Sequence, residues 1–170
     1  MIVIRPLQAA DATAYRTLRL AALAAHPTAF AATVEEEDGI PLATVAQRLA
    51  PREGAVVLGA FDEADLVGIC GVYRESWRKL AHKAHVWGVY VAPALRGRGV
   101  GRQLLDATIT HAARMSGVRQ LTLGVNAQNS AALALYEALG FVRYGLEPGF
   151  LLVDGVLHDE IHMVRFLDTR

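Results

Sequence analysis

The chain has 170 residues, 53% of them hydrophobic and 20% charged, with Lys+Arg and Asp+Glu both at 17. That balance describes one globular domain over residues 1–170 and excludes a disordered chain. Zero formal net charge leaves no global basic field for nucleic acid, so any anion site has to be local. No apolar run reaches the ~18 residues of a membrane span, the opening MIVIRPLQAAD lacks a signal-peptide pattern, and the lone Cys70 suits a reducing compartment. A cytoplasmic protein with no membrane and no nucleic-acid partner is expected.

In chain order, IVIRPL (2–7) reads as a short strand stopped at Pro6. DATAYRTLRLAALAAH (11–26) reads as a helix capped by Asp11, with Tyr15, Leu18 and Ala22 on one face. Pro27, Gly39 and Pro41 mark 26–41 as a loop whose EEED run is solvated or lines a pocket for a cationic amine; a short helix follows over about 42–50. AVVLGAF (55–61) and DLVGICGVYRE (65–75) read as strands joined by a polar turn, with Cys70 a core residue. HKAHVWGVYVAP (82–93) is a stronger strand in which Gly88 marks a bulge or a close backbone approach.

Residues 99–116 read as a helix with Leu104, Leu105, Ile109, Ala112 and Ala113 in its apolar stripe. QLTLGV (120–125) is a strand, and NSAALALYEALG (129–140) a helix ended by Gly140. Asp154-Gly155 predicts a hairpin in the tail. His158 and His162, four apart in HDEIH, would converge on a metal only if helical; the segment reads as strand, so no metal is expected. Strands alternate with helices only in mid-chain, which predicts an α/β (α+β) mixed sheet with helices on both faces instead of a fully wound sheet.

The stretch VYVAPALRGRGVGRQLL (89–105) places Gly97, Gly99 and Gly101 among Arg96, Arg98 and Arg102 at the mouth of a helix. Unpaired N–H groups and the helix dipole favour an anion there, glycines let the backbone approach it, and arginines add charge. A phosphate or pyrophosphate is the natural guest. The dinucleotide fingerprint G-x-G-x-x-G fails because position 102 is arginine, and no Gly-Lys pair exists for a P-loop. The pattern present is R-x-x-G-x-G, filled by Arg96, Gly99 and Gly101; further on, NAQNSAALALYEALGF sets Tyr136 seven residues after Asn129.

With these two segments in this order, the chain resembles the GNAT superfamily of acetyl-CoA-dependent N-acetyltransferases. The resemblance implies a GNAT-like central twisted sheet with splayed parallel strands at 85–92 and 120–125. Acetyl-CoA would enter between them, its pantetheine arm on the backbone of Val89, Tyr90 and Val91 and its pyrophosphate on Gly97, Arg98, Gly99, Val100, Gly101 and Arg102, beside Arg96. Asn129 matches the family position that bonds the cofactor arm, and it is equally suited to cap its helix. Tyr136 matches the general acid that protonates the departing thiolate, and on its helix it also reads as a core aromatic.

The base is open. In relatives that acetylate protein N-termini a glutamate on the 120–125 strand serves, and Gly124 stands there in this chain. His85 is the first substitute, with His82, Glu75 and the tail residues His158, Asp159, Glu160 and His162 as others. The expected function is acetyl transfer to a primary amine, on a small molecule in preference to a protein terminus or lysine. A non-catalytic acyl-CoA sensor is the alternative from another class. The resemblance also implies a homodimer through the C-terminal strands.

Overall fold

The computed structural model describes residues 1–167, built on one seven-stranded sheet in the order β1-β2-β3-β4-β5-β7-β6. β1 (Ile2–Pro6), β2 (Ala55–Asp62), β3 (Asp65–Arg74) and β4 (Lys83–Val91) form an antiparallel run. β5 (Gln120–Asn126) lies parallel to β4, and the hairpin of β6 (Val142–Val153) and β7 (Val156–Phe166) closes the far side with β7 against β5. The parallel step follows from the chain between them: α4 (Val100–Ala112) carries the backbone over one face, as a parallel connection requires.

Two cores flank the sheet. On one face α4 and α5 (Ser130–Ala138) bury Leu104, Leu105, Ile109, Leu133 and Tyr136 against Val72, Val86, Leu121, Leu123 and Met163. On the other, α1 (Ala12–Ala25) and α3 (Leu42–Leu49) bury Tyr15, Ala22, Val45 and Leu49 against Val57, Phe61, Ile69 and Tyr90. The mixed sheet with helices on both faces is as the sequence predicts.

Three local expectations are corrected. Asp11 does not cap α1; its carboxylate takes both arms of Arg5 at 2.8 Å and the Gln8 N–H at 2.8 Å, behind a single 3-10 turn. Within the expected 26–41 loop, Val34–Asp38 forms a short helix, α2, because Thr33 and Glu36 close a reciprocal capping box. Ala113 lies outside α4 and is exposed, while Thr108 takes a buried place in the stripe by bonding the Leu104 carbonyl at 2.8 Å.

Candidate active site

β4 and β5 pair only at Lys83–Gln120, Ala84–Leu121 and His85–Thr122. Ile69 of β3 pairs with Tyr90 and Gly71 with Trp87, so Gly88 and Val89 together oppose Cys70. Gly88, at φ 64°, provides this bulge and re-aims the end of β4. Beyond His85 and Thr122 a cleft of about 670 Å³ opens, walled by 86–91 of β4 and 123–126 of β5. β4 therefore offers the cleft a strand edge whose backbone groups lack a neighbour, and an extended amide-bearing arm can pair there.

The cleft runs to the start of α4, lined by Arg96, Gly97, Gly99, Val100, Gly101 and Arg102. Gly99 precedes the helix at φ 79°, a left-handed conformation that turns the chain so that the first helical N–H groups face outward. A Cβ added at Gly97 would meet nothing within 4 Å. Free N–H groups at a helix start favour an anion there.

Tyr136 reaches the cleft from α5 with its ring buried, 7% exposed and edge-on to Phe141 at 6.0 Å. Burial first, and the neighbouring Cys70 second, push its phenol well above the ordinary value. It is consequently a phenol, able to donate a proton, throughout the neutral range. Asn129 lines the cleft and also caps α5, its Oδ1 accepting the Ala132 N–H at 3.1 Å.

The profile of the acetyltransferase (GNAT) family matches residues 14–141. The chain belongs to the GNAT family. It is 39% identical over 98 residues to the N-alpha-acetyltransferase RimI of Mycobacterium tuberculosis, a match covering 58% of this chain and 59% of that one. To a mycothiol acetyltransferase of Gordonia bronchialis it is 35% identical over 114 residues, 62% of this chain and 35% of the relative. The chain thus spans less than two thirds of the length of these curated relatives. Among solved structures, the ribosomal-protein-alanine N-acetyltransferase of Brucella melitensis superposes with a TM-score of 0.82 at 29% identity, over 97% of this chain and 99% of that one. So does yncA of Salmonella typhimurium, solved with its cofactor acetyl-CoA: TM-score 0.82, 26% identity, 100% of this chain and 96% of that one.

Of the residues expected to serve a GNAT site, Val89, Tyr90, Val91, Arg96, Gly97, Gly99, Val100, Gly101, Arg102, Asn129 and Tyr136 line one cleft. Arg98 and His85 do not. Arg96, on the surface, commits its guanidinium to contacts within the chain, donating from Nε to the Val91 carbonyl at 3.0 Å, contacting His26 Nε2 at 2.8 Å and lying over the Tyr90 ring. It braces the cradle against β4. His85 lies just before the gap, its Nδ1 3.0 Å from the Thr122 hydroxyl and its ring against Tyr73, and burial lowers its basicity.

The sequence reading did not single out His26, Thr28 and Phe30 of the loop after α1, or Trp87, Asn126 and Gln128 of the strands and their exit, all of which line the cleft. Asn126 Nδ2 donates to the Thr28 carbonyl at 3.1 Å and so draws the 26–30 loop over the cleft. Nothing near Thr28 in the sequence marks it, since its partner Asn126 lies 98 positions away. Among the described residues no group of three or more His, Cys, Asp or Glu is placed to hold a metal ion, and no helix is long and apolar enough to cross a membrane.

Proposed function

We propose that this chain is, as one domain, an N-acetyltransferase that moves the acetyl group of acetyl-CoA to a primary amine, with a small molecule as acceptor. One observation carries the reading: the interrupted β4–β5 ladder leads from a cradle of free helix N–H groups to the buried phenol of Tyr136. The residues present fit the donor. The diphosphate matches the cradle at 97–102, the amide-rich arm matches the edge of β4 at Val89–Val91, and Asn129 has its side-chain amide at the cleft. Bound there, the thioester supplies an activated acyl carbon. The protein orients it along the cleft that the 26–30 loop borders, and holds a proton on Tyr136 for the departing sulfur.

The test is thiol release from acetyl-CoA with a panel of an amino-acid amide, spermidine and a hexapeptide beginning with alanine. Tyr136→Phe is expected to lower kcat about 10²-fold while acetyl-CoA still raises Tm as in the wild type. An unchanged kcat would remove Tyr136 as the acid; binding with no turnover on any amine would favour an acyl-CoA sensor. A second reading, acetylation of a protein N-terminus, is favoured by the resemblance to RimI of M. tuberculosis. Turnover confined to the peptide would select it.

A further inference from the structure

An alkylammonium has to lose a proton before its nitrogen can attack a carbonyl, yet no carboxylate lines the cleft. The histidine in the wall, His26, has its Nε2 against the Arg96 guanidinium. One carboxylate stands directly behind that wall. Gly124 lines the cleft, and a Cβ built on it would fall inside the carboxyl group of Glu160. Gly124 has no left-handed backbone that would call for glycine. It is glycine because the space its side chain would fill belongs to Glu160.

Register explains how β7 delivers the group. Leu123, Val125, Ile161 and Met163 point into the α4–α5 core, so Gly124, Asn126, Glu160 and His162 share the opposite face. Glu160 pairs with Asn126 and His162 with Gly124. Asn126 is also the residue that bonds the Thr28 carbonyl of the 26–30 loop, so Glu160 is paired with the strand position that anchors that loop. Its side chain is only 16% exposed and is followed by His162, whose Nδ1 is 3.7 Å from Glu160 and whose Nε2 is 2.9 Å from Glu147 of β6.

We infer that Glu160 is the general base of this enzyme, its carboxylate filling the space above Gly124 and taking a proton from the incoming amine. This inference rests on the acetyl-transfer reading above. The ammonium gives one proton to Glu160, which releases it along His162 and Glu147 to solvent. Nitrogen then forms the C–N bond, the C–S bond breaks with its electron pair on sulfur, and sulfur takes the Tyr136 proton. The second nitrogen proton restores the phenol, and one proton is released per turnover. Acid and base approach the gap from opposite faces of the sheet. Burial, opposed by His162 and aided by Glu147, raises the Glu160 carboxyl from its ordinary value, the direction that strengthens a base.

The experiment compares wild type, Glu160→Gln, Gly124→Ala and the double variant Gly124→Glu/Glu160→Ala on whichever amine of the panel the wild type acetylates fastest. Glu160→Gln is expected to lower kcat about 10²-fold or more and to abolish the acidic limb of the kcat–pH profile. Its acetyl-CoA-induced rise in Tm should match the wild type, which separates a lost base from a lost fold. Gly124→Ala pushes the carboxylate aside and should lower kcat about tenfold with the same Tm response. The double variant returns a carboxylate to the same space from β5 and should regain at least tenfold over Glu160→Gln. Glu160→Gln with kcat within about threefold of wild type and the acidic limb intact would overturn the assignment while leaving the acetyltransferase standing. Absence of turnover by the wild type would overturn both.

Discussion

Cys70 shows how one residue's environment decides its chemistry. It is fully buried in β3, and burial pushes its thiol up to about 12, with Thr108 opposing the shift. A thiolate is therefore scarce at neutral pH and an acyl-cysteine route has no nucleophile. Iodoacetamide at pH 8 should label Cys70 only as fast as the protein unfolds; rapid labelling of the native protein, read by mass, would contradict this burial. Asp11 is the reverse case, held below the usual carboxylate range first by its hydrogen bonds from Arg5 and secondly by the Gln8 N–H. A depressed carboxyl stabilises the fold above its unfolded pKa of about 3.9, and the contribution vanishes as pH falls through the folded value. Asp11→Asn should cost about 1 kcal/mol at pH 7 and progressively less as pH falls below about 4, measured as ΔTm across that range.

At the scale of elements, the start of α4 does two tasks with one backbone conformation. Gly99 at φ 79° both turns the chain into the helix and leaves the first N–H groups open to the cleft. Gly99→Val should cost about 1–2 kcal/mol of stability for the left-handed backbone, although its Cβ would have room, with Gln103 at 3.9 Å. It should weaken acetyl-CoA binding by a larger factor, tenfold or more by calorimetry, because the branched side chain stands where a phosphate has to approach. Equal losses in stability and affinity would place the anion elsewhere. α2 makes a related point about legibility: Thr33 and Glu36 form a capping signature readable in the sequence, yet Gly39 and Pro41 close by make the segment look like a loop.

For the whole molecule, the sheet is stabilised from both faces while the gap between β4 and β5 is left open. Leu104 is fully buried beneath α4, and Leu104→Ala should cost about 2–5 kcal/mol, seen as a fall in the denaturant midpoint. A ligand that binds only the folded state works in the opposite direction. Acetyl-CoA at 100 times its Kd should add about 2.7 kcal/mol, and a Tm insensitive to it would contradict the proposed cleft occupant. The expected homodimer would use β6, the edge strand, where Tyr144, Leu146 and Leu152 are exposed; sedimentation at rising concentration would show the doubled mass or exclude it.

The sequence by itself determined the features that neighbouring residues can specify. The glycine-arginine turn, the Asn129 cap, the Asp154-Gly155 hairpin turn at φ 49° and 78°, and the apolar runs of β2–β5 are local, so steric preference and composition suffice to write them. Tyr136 was legible for the same reason: its place on α5 follows from spacing within one helix. What depends on register was not legible. Nothing near Gly124 tells that a carboxylate from residue 160 will occupy its side-chain space, because that meeting is set by how β7 pairs with β5 across the α5 and β6 connection. Likewise, whether His85 reaches the cleft is decided by where the β4–β5 ladder stops. Local conformational preference acts over a few residues, whereas a one-residue slip of strand register would turn Glu160 to the other face; only the packed sheet selects between them.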